Sequence, residues 1–97
     1  MPTYGTTHRF WADHRKLTEE EQEAFRQAVD QFIEDLESGH GFRAGLRVKG
    51  VQGAPGIFEM TWADDGRATF QYGEPVLEDK AHIIWRRVGG HGIFANA

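Results

Sequence analysis

The stretch Ile57–Tyr72, IFEMTWADDGRATFQY, decides the architecture of this chain. Along its first run Phe58, Met60 and Trp62 alternate with Glu59 and Thr61. Along its second, Ala68, Phe70 and Tyr72 alternate with Arg67, Thr69 and Gln71. A period of two sends successive side chains to opposite faces, so each run reads as a strand with one apolar and one polar side. Between them Asp65-Gly66 marks a turn, where Asp bonds nearby backbone and Gly is expected to supply a positive φ. A hairpin wet on one side only belongs to an antiparallel sheet that something covers on the other.

The cover lies upstream. Phe25, Ala28, Val29, Phe32, Ile33 and Leu36 recur at steps of three and four, the signature of one apolar helical stripe. Thr18 is a suitable N-cap, and Glu21 stands three residues on, as a capping box requires. Gly39 and Gly41 end the pattern, so a helix is predicted over residues 18–38.

Around this pair the rest falls into place. TTHRFW at 6–11 is β-prone and is predicted as a first strand. Leu46 and Val48 alternate with Arg47 and Lys49, suggesting a strand before the loop of Gly50, Gly53, Pro55 and Gly56. Residues 73–81 read as a polar loop, 82–88 as a long last strand, and 91–94 as a short tail strand or turn. The fold class is therefore α+β, with a long helix packed on one face of a small twisted antiparallel sheet. The 97 residues are expected to form a single domain over 1–97.

Composition removes several kinds of chemistry. There is no cysteine, hence no disulfide, thiolate metal site or thiol nucleophile. Ser38 is the only serine and ends the predicted helix, which argues against a serine triad. The five histidines, at 8, 14, 40, 82 and 91, form no compact ligand motif, so neither a metal nor any other cofactor is expected. GVQGAPG lacks the Lys-Ser/Thr ending of a phosphate-cradling loop. Asp64 and Asp65 are explained by the turn. No apolar run suggests a signal peptide or membrane span, and a cytoplasmic location is the expectation.

Net charge is −4, but residues 1–42 hold four Lys/Arg against nine Asp/Glu, whereas residues 43–97 hold seven against six. Any anion-binding surface therefore belongs to the C-terminal half. Arg67 opens a strand on its polar side. Arg86 and Arg87 are neighbours on the last strand, and strict alternation points them to opposite faces. The alternation does not say which of the two reaches the open side, and solvated or ion-paired arginines account for the pattern equally. His91 stands in Gly89-Gly90-His91-Gly92, where little shields the imidazole. Its ordinary pKa lies close to neutral, which suits proton transfer.

A capped helix, LRVKGV, GIFEMTW–DDGR–ATFQY and a terminal HIIWRRVGGHGIF together resemble the RelE/ParE superfamily of bacterial type II toxins, over roughly residues 14–94. That resemblance implies a RelE-like domain acting as a metal-free endoribonuclease on messenger RNA in the ribosomal decoding site, and so inhibiting translation. It implies that Arg67 neutralises the scissile phosphate, aided by Arg86 or Arg87, and that His91 is the acid or base. It puts Arg47 and Lys49 near the RNA backbone. Trp85 and Phe94 would either stack on a base or complete the core. It further implies a cognate antitoxin protein as partner, in a toxin–antitoxin hetero-oligomer or beside a homodimer.

Two other readings stay open: a non-catalytic toxin of the gyrase-binding kind, and a small binding or assembly domain whose arginines serve in ion pairs. Ribosome-directed members of the family are usually basic, whereas this chain has a pI of about 5.7.

Overall fold

The computed structural model describes residues 2–77 and 80–96, so positions 78 and 79 of the predicted polar loop lie outside the described residues. Strand β1 (Thr3–Thr6) leads into helix α1 (His8–Arg15) and the long helix α2 (Glu19–Ser38). A 3-10 turn (Ala44–Leu46) precedes β2 (Lys49–Gly50), β3 (Phe58–Thr61), β4 (Arg67–Tyr72) and β5 (His82–Gly89). A C-terminal 3-10 helix, His91–Asn96, follows. The strands make one sheet in the order β1-β5-β4-β3-β2.

Helix α2 forms where its stripe and caps predict. The Glu21 N–H donates to Thr18 Oγ1 at 3.1 Å, and the Thr18 N–H donates to Glu21 Oε1 at 2.8 Å, closing both halves of the box. Gly39 ends the helix in the left-handed region, at φ 72°, which costs a glycine nothing sterically. Phe25, Ala28 and Phe32 turn inward and meet Met60, Ala68, Phe70, Ile83, Trp85 and Val88 of the sheet. The Phe32 ring lies edge-on to Phe70 at 5.0 Å and 5.3 Å from Trp85. Burial of each such side chain contributes on the order of 1.5–3 kcal/mol.

Four expectations need correction. Only Thr3–Thr6 is a strand; Phe10 and Trp11 belong to α1. Thr7 caps that helix, accepting from the Phe10 N–H at 3.2 Å, and helical spacing then sends Phe10 and Asp13 inward. Packing against Phe25 overrides the β-propensity of the stretch. The sheet, secondly, is mixed. β1 runs parallel to β5, from Thr3 opposite His82 to Thr6 opposite Trp85. The helical layer and three strands separate these two in sequence, so no tight turn forces them antiparallel.

The alternation at 46–49 does not make a long strand. Residues 44–46 form the 3-10 turn, Arg47 takes a left-handed conformation, and pairing begins only at Lys49. Gly66, finally, has no positive φ. It is buried beneath the Trp62 ring, and a Cβ there would stand 2.5 Å from Trp62 Cδ2. What the turn requires at this position is the absence of a side chain.

Candidate functional site

Strand β5 buries both Trp85 and Val88 on the helix side, three residues apart, which strict alternation forbids. A bulge resolves the conflict. Phe70 pairs with Trp85 and the preceding Thr69 pairs with Arg87, leaving Arg86 as the extra residue. A bulge of this kind resets the alternation beyond it. Arg86 and Arg87 consequently both stand on the side away from the helical core, not on opposite faces as expected. Arg86 Nη1 donates to Gln71 Oε1 at 2.6 Å.

Arg87 reaches the edge of β5 beyond the end of β1. There its Nε donates to Asp13 Oδ2 at 2.6 Å and its Nη2 to Oδ1 at 3.1 Å. Asp13 Oδ2 also accepts the Val88 N–H at 3.3 Å. The hydrogen bond from Arg87 to this carboxylate is the main reason its pKa is raised above the ordinary guanidinium value. Arg87 is thus a charge fixed in place by α1.

The far end of the β4–β5 pair carries two of the candidates. Arg67 pairs with Gly89, and Gly90 packs on the hairpin turn so closely that a Cβ there would stand 2.6 Å from Asp65 Oδ2. His91 follows at once and is exposed, its ring edge-on to Phe94 at 4.9 Å. Ile93 is buried outside the helix-side core and leans on Gly89, where a Cβ would lie 3.0 Å from its Cγ2. The C-terminal 3-10 helix therefore folds back over the sheet's second face, which explains why Thr69 is buried although it points away from the helices.

Arg67 curls over the turn. Its Nη1 donates to the carbonyls of Gly66 at 2.9 Å, Asp64 at 3.2 Å and Ala63 at 3.3 Å. Among the described residues these are its side-chain hydrogen bonds, so Nε and Nη2 remain for a ligand. Its backbone is held as well, because Trp62 Nε1 donates to the Arg67 carbonyl at 2.9 Å.

Of the other candidates, Lys49 and Trp85 stand apart from these two, whereas Arg47 and Phe94 each adjoin one of them. Lys49 is on the edge strand β2, its Nζ 3.9 Å from Glu59 Oε1. Arg47 lines a polar cleft of about 550 Å³ between α2 and the hairpin end, a cleft Arg67 also lines. Trp85 is 5% exposed in the helix-side core, so the base-stacking alternative is corrected: its ring packs on Phe25, Phe32 and Phe70. Phe94 is half-buried against His91.

Two residues escaped the sequence reading. Asp13 fixes Arg87; its only signal is standing three residues after Phe10, hence on the same inner side of a helix the β-prone composition concealed. Glu59 is the one carboxylate that β3, β4 and β5 place on the second face, opposite Thr69. On the other side of the molecule an apolar groove of about 520 Å³ runs between α1, α2 and the free edge of β1, with Tyr4 and Trp11 exposed at its rim.

No family model matches the sequence, and no curated protein is recognisably similar to it. Solved structures are. The DinJ–YafQ complex of E. coli contains a chain 13% identical, matched over 95% of this chain and 96% of that one, with a TM-score of 0.65. The YoeB/ParE toxin from Agrobacterium tumefaciens is 10% identical over 92% and 98% of the two chains, also with a TM-score of 0.65. A chain of the E. coli RelBE toxin–antitoxin complex is 21% identical over 93% and 96%, with a TM-score of 0.58. At such identities the likeness concerns backbone architecture. The chain has the fold of the RelE-like toxins.

Proposed function

We propose that this chain is the toxin of a type II toxin–antitoxin pair and cleaves messenger RNA on the ribosome. The observation that supports the reading is the register that sets Arg67 opposite Gly89, two residues before His91, with an exposed imidazole and two guanidinium nitrogens available. In the reaction the RNA 2′-hydroxyl attacks the adjacent phosphorus, and the bond to the 5′-oxygen breaks, leaving a 2′,3′-cyclic phosphate. The nucleophile is tethered to its target, so the protein's task is positioning and charge stabilisation. Arg67 binds the phosphate oxygens, and His91 transfers a proton. Phe94 meets the imidazole edge-on, and Asp13 holds Arg87 in an ion pair on the same strand.

A protein partner fits the other side. α2 carries eight carboxylates and one arginine beside the apolar groove, which favours an amphipathic segment with basic flanks. The fold's solved relatives in toxin–antitoxin complexes support assigning that segment to an antitoxin.

The test is growth and translation after tightly induced expression of wild type, Arg67→Ala and His91→Ala. Arrest by wild type alone, with both variants folded, is the expected result. Arrest by His91→Ala as well would favour a toxin that binds a protein target. Harmless wild type would remove the toxin reading.

A further inference from the structure

Asp13, Glu59 and Asp35 are sheltered from solvent to a similar degree, their side chains 10%, 13% and 14% exposed. Two of the three are fully engaged. Asp13 accepts from Nε and Nη2 of Arg87 and from the Val88 N–H. Asp35 accepts from the backbone N–H, Nε and Nη2 of Arg43. Glu59 accepts no hydrogen bond among the described residues. Its ion pair with Lys49 spans 3.9 Å, beyond hydrogen-bond reach, and the lysine side chain is 70% exposed. A pair so solvated contributes little. A sheltered carboxylate without a donor costs free energy, so stability does not account for Glu59.

Its place in the sheet supplies another reason. Glu59 pairs with Thr69 and Thr61 pairs with Arg67, so Glu59 and Arg67 are diagonal neighbours on the side away from the helical core. Such neighbours stand about 7–8 Å apart. On its other side Arg67 pairs with Gly89, two residues before His91. Arg67 is therefore flanked by β3, which carries Glu59, and by β5, which runs on into His91. Those two strands lie two inter-strand spacings apart, about 9–10 Å. Displacement at phosphorus runs in line, with attacking and leaving oxygens on opposite sides. A phosphate held by Arg67 has a proton-transferring group on the strand to either side.

We infer that Glu59 is the general base of the cleavage and His91 its general acid. The Glu59 carboxylate takes the proton of the 2′-hydroxyl as that oxygen bonds to phosphorus. The bond from phosphorus to the 5′-oxygen breaks, and the 5′-oxygen takes a proton from the His91 imidazolium. An ionised carboxylate only accepts, which suits the first role, and a protonated imidazole donates, which suits the second. The inference rests on the nuclease reading for the reaction itself, and it assigns the direction of each proton transfer.

The test uses two messages on programmed ribosomes, one ordinary and one with sulfur in place of the bridging 5′-oxygen at the linkage that wild type cleaves. A thiolate leaves without a proton, so the sulfur linkage needs a base but no acid. Wild type, Glu59→Gln and His91→Ala are compared on both. On the ordinary message each variant is expected to lose about 100-fold or more in rate. On the sulfur message His91→Ala is expected to recover most of that loss and Glu59→Gln none of it. Glu59→Gln keeps the size of the side chain, and a thermal melt checks its fold. Should it fail to fold, the sulfur message still decides: His91→Ala left unrescued overturns the assignment. Cleavage by folded Glu59→Gln at the wild-type rate, or rescue of Glu59→Gln by sulfur, overturns it as well. Each of these leaves the nuclease reading standing, whereas an ordinary message left intact by wild type removes that reading and this assignment with it.

Discussion

The carboxylate of Asp13 on α1 grips Arg87 on β5 at 2.6 Å and takes the Val88 N–H at 3.3 Å with the same oxygen. One side chain thereby caps the edge of β5 beyond β1 and fixes Arg87 in an ion pair. The side chains of Arg87 and Asp13 are only 15% and 10% exposed, so removing either leaves a poorly solvated charge behind. Asp13→Asn is expected to destabilise the fold by about 3 kcal/mol, the lower end for breaking a buried pair. Urea unfolding of Asp13→Asn, Arg87→Met and the double variant checks this. The double variant should lose clearly less than the two single losses combined, and strict additivity would show that the pair does not act as a unit.

Gly66 lies against the Trp62 ring, with three ring atoms within 2.8 Å of where a Cβ would stand. The ring cannot withdraw freely, because its Nε1 is bonded to the Arg67 carbonyl and its edge meets Phe25. Gly66→Ala is expected to cost about 1–3 kcal/mol, as overpacking does. It should also displace Arg67. A thermal melt together with a toxicity assay would register both effects; a melt like that of wild type would mean the turn yields without strain.

Trp85 and Phe94 should separate in their effects. Trp85 is core, so Trp85→Ala is expected to lose about 3–5 kcal/mol of stability. Phe94 touches His91 at the edge of the molecule, so Phe94→Ala should leave the fold nearly intact while reducing RNA cleavage. Circular dichroism melts set beside cleavage rates decide the matter. Reversed behaviour of the two variants would contradict these placements.

Acid stability has a local source at the end of α2. Asp35 accepts from the backbone N–H and Nε of Arg43 at 2.9 Å and from its Nη2 at 2.8 Å, fastening the chain so that Phe42 stacks on Phe32 at 4.8 Å. These bonds from Arg43 hold the Asp35 carboxyl below its ordinary pKa. A pKa lowered on folding contributes stability that is fully present above the unfolded value of about 4 and is lost as pH falls through the folded value. Asp35→Asn should therefore unfold with a flatter pH dependence than wild type below about pH 4. Urea midpoints across that range, parallel for both proteins, would argue that another carboxylate governs the acid limb.

Much of the architecture was legible because it rests on local chemistry. The α2 stripe and its capping box, the 57–72 hairpin and the last strand all stand where periodicity puts them. The misses share a different origin: each depends on a partner distant in sequence. Thr7 starts a helix and donates to the Arg86 carbonyl, 79 residues away, which no local propensity reveals. The β5 bulge arises because Trp85 and Val88 must both meet the helices, and it puts Arg86 and Arg87 on one side where alternation expected opposite faces. That Arg67 and His91 act together is an expectation from resemblance; the register of β4 on β5 sets Arg67 opposite Gly89, two residues before His91. Asp13 was hidden, since its partner lies 74 residues on.

Joint cleavage of RNA by Arg67 and His91 is the activity proposed for this end of the sheet. Its most direct test is to add purified wild type, Arg67→Ala and His91→Ala to a translating extract programmed with one defined message and to analyse the new RNA ends. The expected result is cleavage within the message by wild type, with 2′,3′-cyclic phosphate ends, and a loss of at least about 100-fold in rate for each variant, the scale of one acid–base or charge-stabilising group. Intact message with wild type, or cleavage by His91→Ala at an undiminished rate, would contradict it.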